Sequence, residues 1–218
     1  MKPFYPVHLA SGLKLVYEDR DIIVVDKPAG LLSIAAADMR EKTAYMILAG
    51  YYRKRGGGGA RPAIVHRLDR DTSGLMIFAR NARVKKKLMD NWDSMVTQRR
   101  YICLAEGEMT GKEGEIDLPL GEDQNGRMAI KDGGLKAVTK WKLLEIRSGY
   151  SLLSLELITG RRNQIRVHLA ATGHPAAGDS KYGARTNPHK RLCLHADRIC
   201  FRHPADNRMM EFESPLRF

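Results

Sequence analysis

Apolar residues are spaced along this chain in distinct ways, and each spacing predicts a different kind of segment. Leu13-Lys14-Leu15-Val16-Tyr17 predicts a short strand after an irregular arm over 1–12. Ile22-Ile23-Val24-Val25, a β-branched run, predicts a second strand, stopped by Asp26-Lys27-Pro28-Ala29-Gly30. From Thr43 to Arg55 the spacing changes to three and four. Ala44, Ile47, Leu48 and Tyr51 then share one face, which predicts a helix. Four consecutive glycines, Gly56 to Gly59, predict a mobile loop, because their ordering is entropically costly. The run Leu75 to Ala79 predicts a buried strand. Asn81 to about Met95 predicts a helix with Val84, Leu88 and Met95 inward and Arg83, Lys85, Lys86 and Lys87 mostly toward solvent. Ile102 to Ala105 predicts another strand, closed by Gly107.

Beyond Gly114 the pattern is largely that of strands. Ala137 to Ile146 and Tyr150 to Ile158 alternate and join through Ser148-Gly149, which predicts a hairpin. Leu192 to Phe201 and Met209 to Phe212 predict two more strands. One helix interrupts them, running from Arg161 to Ala171, with Thr159 as its N-terminal cap and Gly173 at its C-terminal end. There is no internal repeat and no long linker. The order of elements predicts an α+β fold with a mixed sheet, not alternating βα units.

Composition narrows the partners. The chain has 218 residues, 43% of them hydrophobic, enough for a substantial core. A formal charge of +12 favours a polyanionic partner, nucleic acid ahead of an anionic membrane. No apolar stretch is long enough for a transmembrane helix, and the first residues lack the apolar run of a signal peptide. Three widely spaced cysteines predict reduced thiols and a cytoplasmic protein.

The densest chemistry lies in His66-Arg67-Leu68-Asp69-Arg70-Asp71-Thr72-Ser73-Gly74, just ahead of a buried strand. Asp69-x-Asp71-x-Ser73-Gly74 resembles the start of a calcium loop, but the twelfth position, which should be Glu, is Arg80. Asp71 and Ser73 suit a turn that bonds its own backbone. Cys193-x-His195-x4-Cys200-x2-His203 lacks the usual spacing of paired zinc ligands and falls largely on one expected strand. No catalytic triad and no dinucleotide fingerprint stands out. No metal or cofactor is therefore expected. Arg166 sits between Ile165 and Val167 in an apolar stretch, so it should need a carboxylate partner, with Asp69 a candidate. Arg161 and Arg162, near a helix N-terminus, suit either phosphate binding or plain exposure. Lys27 suits either a solvated turn or a phosphate contact.

Four blocks resemble the RluA-type pseudouridine synthases, which modify RNA. They are Lys27-Pro28-x-Gly30, the His66 to Gly74 segment, and Tyr101 followed six residues later by Gly107. The fourth is Gly160-Arg161-x-x-Gln164-Ile165-Arg166-Val167-His168, continued by Gly173-His174-Pro175, Gly178-Asp179-x-x-Tyr182-Gly183 and Leu194-His195-Ala196. The blocks keep the family's order over most of the chain. Asn163 departs from the family's usual His, and Arg99 from its frequent Lys. The extra N-terminal RNA-binding module of some members is not expected, since about ten residues precede Ser11. The resemblance implies one catalytic domain over 1–218, with a mixed, mostly antiparallel sheet in two halves, flanking helices and a central cleft. It implies that Asp69 is the catalytic aspartate, that Tyr101 packs on the target base and that Arg166 pairs with the aspartate. Arg67 would fill the space of a flipped nucleotide. Lys27, Arg161, Arg162 and Gln164 would contact RNA. The implied activity is isomerisation of specific uridines in ribosomal or transfer RNA by a monomer, without cofactor. An RNA-binding protein with a dead site and a hydrolase of N-glycosidic bonds are the rivals. Both predict differences at Asp69, Tyr101 and Arg166 or in the product.

Overall fold

The structure, a computed structural model, describes residues 6–35, 41–55, 61–215 and 218. The glycine run at 56–59 lies outside the described residues. In chain order the elements are β1 (Val7–His8), β2 (Lys14–Glu18), β3 (Ile22–Lys27), α1 (Ala44–Lys54), β4 (Ala63–Ile64), β5 (Ser73–Ala79), α2 (Ala82–Asp90) and α3 (Trp92–Met95). There follow β6 (Val96–Glu106), β7 (Glu113–Asp117), β8 (Leu120–Glu122), β9 (Met128–Ile130), β10 (Val138–Arg147), β11 (Tyr150–Leu157), α4 (Gln164–Ala171), β12 (Leu194–Arg202) and β13 (Met209–Glu213). The class is α+β, with mostly antiparallel pairing. Two compact units are distinguished: the chain up to Thr97 with Arg198–Ser214, and Gln98–Asp197 with Pro215–Phe218. β6 and β12 each contribute residues to both.

In the first unit β1, β2, β3 and β5 pair antiparallel in that order, with Val25 opposite Met76 and Lys27 opposite Gly74. β13 pairs with Arg198–Arg202. Every residue of β5 is buried, as its unbroken apolar run requires of a strand covered on both faces. Its core joins Ile22, Val24, Leu75, Ile77, Val84, Leu88 and Phe201. Thr43 caps α1 by accepting from Met46 N at 3.1 Å, and Asn81 caps α2 by accepting from Val84 N at 2.8 Å. The single helix expected over 81–95 is in fact two. Asn91 leaves the helical region (φ −121°, ψ 24°), and its amide donates to Lys87 O at 2.9 Å, closing α2 before α3 starts.

In the second unit β6, β11, β10 and β7 form an antiparallel run, with Tyr101 opposite Leu155. The expected β10–β11 hairpin turns through Ser148 (φ 51°) and Gly149 (φ 78°), the pair of positive φ angles that matches strand twist in a two-residue turn. β8 and β9 make a small separate hairpin, whose Leu120 and Met128 pack with Val167 and Tyr182. The helix expected from Arg161 begins only at Gln164, because Asn163 is left-handed at φ 54°. Thr159 does not cap it. Its hydroxyl donates to Gln164 Oε1 at 2.8 Å and accepts from Val138 N at 2.9 Å. At the other end Gly173 N donates to Ala170 O and His174 N to Leu169 O, a Schellman pair that satisfies the last carbonyls.

His168, fully buried on α4, has ring nitrogens 3.0 Å from both Thr139 Oγ1 and Leu118 O. Burial pushes its pKa down from 6.5, with a partial opposing effect from the Leu118 carbonyl. The folded state thus prefers the neutral ring. The stabilisation is present above the unfolded pKa and is lost as pH falls below about 6.5 toward the folded value. A His168→Gln variant should show a shallower fall in melting temperature between pH 7 and pH 5 than the wild type. Equal slopes in thermal scans would remove His168 from the acid response.

Candidate active site

Asp69 is half-buried in the loop that leads into β5, and the backbone on both sides of it is pinned from one segment of the first unit. Ser33 is buried. Its hydroxyl donates to Leu68 O at 2.7 Å and accepts from Leu68 N at 3.2 Å. On the other side, Arg70 O accepts from Lys27 Nζ and Gly30 N, both at 2.9 Å. Further back, His66 Nε2 accepts from Ile77 N at 2.8 Å, with its ring 4.9 Å from that of Trp92. Four hydrogen bonds from Ser33, Lys27 and Gly30 therefore fix the main chain on either side of Asp69 without using its carboxylate. Arg67 and Arg70 are exposed, and Arg70 pairs with Glu41.

Two of the residues expected to contact RNA lie among buried hydrogen bonds. Lys27 is fully buried, and its ammonium donates to three carbonyls, of Pro28 at 3.0 Å, Leu31 at 2.7 Å and Arg70 at 2.9 Å. An ammonium has three donors, so Lys27 braces the Asp69 loop with them. Lys27→Met should lower unfolding free energy by about 2 kcal/mol, since buried carbonyls lose their donor. Urea titration checks this, and an unchanged midpoint would contradict it. Gln164 is equally committed. Its Nε2 donates to Val138 O at 2.9 Å and Thr139 Oγ1 at 3.0 Å, while Oε1 accepts from Thr159 Oγ1 and from Arg161 N. With all of these made at 2% exposure, Gln164 ties the start of α4 to β10. Arg161 and Arg162 precede α4 and are exposed. Arg161 Nε donates to Lys136 O at 3.1 Å, and Arg162 pairs with Glu122 at 3.1 Å and donates to Gly126 O.

Tyr101 lies on β6, nearly buried, on the strand face shared with Cys103 and Ala105. Arg166 projects from α4, where Gln164 through Leu169 are all buried. Its carboxylate partner within the second unit is Asp179, a residue to which the sequence assigned no role. Nε donates to Oδ2 at 2.6 Å and a terminal nitrogen to Oδ1 at 2.7 Å, with the two side chains 8% and 1% exposed. This is a bidentate fork, the strong and geometrically specific form of an arginine–carboxylate pair. Gly178 sets the turn before Asp179. At φ +80°, a Cβ there would sit 2.1 Å from Arg191 O, so only glycine fits. Tyr182, three residues on, places its ring centroid 5.0 Å from Arg166 Cζ and 4.6 Å from Arg127 Cζ. Its hydroxyl donates to Asn163 Oδ1 at 3.1 Å, and burial raises its pKa. The motif Gly178-Asp179-x-x-Tyr182-Gly183 was the available signal for this cluster. Ser33 had none. By unit, Asp69, Arg67 and Lys27 belong to the first, and Tyr101, Arg161, Arg162, Gln164 and Arg166 to the second.

The family model for RNA pseudouridylate synthase matches residues 21–171, which takes in the Asp69 loop, β6 and α4. The chain belongs to this family. It is 37% identical over 209 residues to the uncharacterized RNA pseudouridine synthase YlyB of Bacillus subtilis, a match covering 94% of this chain and 69% of that protein. It is also 37% identical over 220 residues to ribosomal large subunit pseudouridine synthase D of Haemophilus influenzae, covering 94% of this chain and 67% of that one. The solved structure of human RNA pseudouridylate synthase domain containing 1 superposes with a TM-score of 0.73 at 27% identity, over 99% of this chain and 86% of that one. Human RNA pseudouridylate synthase domain containing 4 shares the fold, with a TM-score of 0.76 at 20% identity, over 93% and 88% of the two chains. As a member of the family, the protein is an isomerase that acts on RNA and converts uridine to pseudouridine. Among the described residues no helix is long and apolar enough to cross a membrane.

Proposed function

We propose that this pseudouridine synthase modifies specific uridines of structured RNA, ribosomal RNA first, with Asp69 as the reacting carboxylate. The observation that carries this is the pinned loop. A half-buried carboxylate whose neighbours Leu68 and Arg70 are both held by buried donors and acceptors is preorganised for chemistry, not for turn-making. The name of the Haemophilus influenzae relative supports large-subunit ribosomal RNA as the substrate class.

The reaction breaks the N1–C1′ bond of uridine and forms a C5–C1′ bond. The proton leaving C5 is balanced by one gained at N1, so no oxidant, reductant or group donor is needed. An ionised Asp69 acts as nucleophile or base in this exchange. Tyr101 lies against the detached uracil and keeps it while it turns, and Arg166, held by Asp179, takes part in the reaction. The target nucleotide leaves its stack at a cost of a few kcal/mol. Exposed Arg67 offsets part of that by filling the gap, and exposed Arg161 and Arg162 meet phosphates. The family model runs through residues of both units, which supports treating 1–218 as one catalytic domain. The reading includes a monomer and a cytoplasmic location, the latter supported by three buried free cysteines.

The test is tritium release from RNA labelled at uridine C5, run on ribosomal and transfer RNA pools, with the product nucleoside identified. Release from ribosomal RNA with pseudouridine as product is expected. Release from transfer RNA alone would overturn the substrate assignment.

A further inference from the structure

The Asp179 fork fixes the guanidinium of Arg166 along one edge. The structure supplies a second restraint. Tyr182 lies one 3-10 turn beyond Asp179, with its backbone N donating to Asp179 O at 3.0 Å, so carboxylate and ring come from one rigid turn. The ring centroid stands 5.0 Å from Arg166 Cζ, within the range at which an aromatic face attracts a guanidinium. The ring itself is held at its far end, where the hydroxyl donates to Asn163 Oδ1 at 3.1 Å. Asn163 stands immediately before α4 in the left-handed conformation, which asparagine tolerates better than most residues. We propose that Tyr182, anchored by Asn163, is a positioning residue that sets the plane of the Arg166 guanidinium for isomerisation. This rests on the reading of Arg166 as a participant in catalysis. It also gives Asn163 a definite job at a position where the family usually carries His.

A purely structural Tyr182 would only fill the small core with Leu120, Met128 and Val167. The two roles separate in a double-mutant cycle. Tyr182→Leu keeps apolar volume but removes the ring face, and should lower single-turnover kcat about ten-fold with RNA affinity little changed. Tyr182→Phe keeps the face and should lose only about two- to three-fold. In an Arg166→Lys background Tyr182→Leu should cause no further loss, because the planar group it positions is gone. Full additivity would overturn the inference, as would a fully active Tyr182→Leu. If Arg166→Lys alone keeps full activity, the catalytic reading of Arg166 falls and the positioning role falls with it. That outcome is distinct from a slowed but measurable Arg166→Lys with additive losses, which sinks the positioning role alone. Should Tyr182→Leu fail to fold, Asn163→Gly takes its place in the cycle. Glycine suits the left-handed backbone and removes the Asn163 acceptor, so kcat should fall about two- to three-fold, again without further loss in Arg166→Lys.

Discussion

Asp69→Asn should abolish isomerisation, with a loss on the order of 10³-fold or more, while leaving the fold and RNA affinity within a few-fold of wild type. Asparagine matches the carboxylate in shape but carries no charge, so it serves neither as nucleophile nor as base. The hydrogen bonds to the flanking backbone do not depend on the replaced group. Ser33 holds the peptide groups of Leu68, and Lys27 and Gly30 hold the carbonyl of Arg70. Burial of Leu68 and Thr72 on either side is likewise untouched. Single-turnover tritium release and filter binding on the same RNA separate the two effects. An active Asp69→Asn would remove the carboxylate from the mechanism. A variant that loses RNA binding in parallel with turnover would make Asp69 a recognition residue instead.

What the sequence showed best was whatever depends on local pattern. The β-branched run of β3, the apolar run of β5 and the Ser148-Gly149 hairpin lie close to where spacing and turn chemistry put them. The caps Thr43 and Asn81 define helix starts through a side chain three residues away from its partner, a purely local bond. Asp69 was legible through its motif. What was not legible depended on distant partners. Lys27 meets Arg70 across 43 residues and Gln164 meets Val138 across 26, so polar residues inside a binding motif proved to be buried braces. No spacing rule announces a carbonyl that far along the chain. The start of α4 was misplaced for a related reason. The run from Arg161 has helical composition, but the left-handed backbone of Asn163 and the capture of Gln164 Oε1 by Arg161 N delay the first helical residue. Likewise Arg166 was expected to need a carboxylate, and its partner within the second unit, Asp179, lies in a turn that Gly178 alone permits.

Asp179→Ala should be the most destabilising of these substitutions, lowering unfolding free energy by about 3–5 kcal/mol. The reason is asymmetric. The pair as a whole contributes little net stability, because both charges were taken out of water to form it. Removing one member leaves the other, here a guanidinium only 8% exposed, buried with two of its donors stripped of acceptors. Asp179→Asn should fall between, since one acceptor oxygen survives without the charge. Turnover should fall in both, because Arg166 is no longer fixed. The decisive comparison is a double replacement, Asp179→Leu with Arg166→Met, which puts apolar groups at both positions. It should recover most of the stability lost in Asp179→Ala, since no buried charge remains unpaired, yet recover none of the activity. Urea unfolding and tritium release on the three variants read the two quantities separately. If the double variant regained turnover with stability, the pair would be a folding device only. If Asp179→Ala unfolded within about 1 kcal/mol of wild type, the fork would not be what holds Arg166 in place.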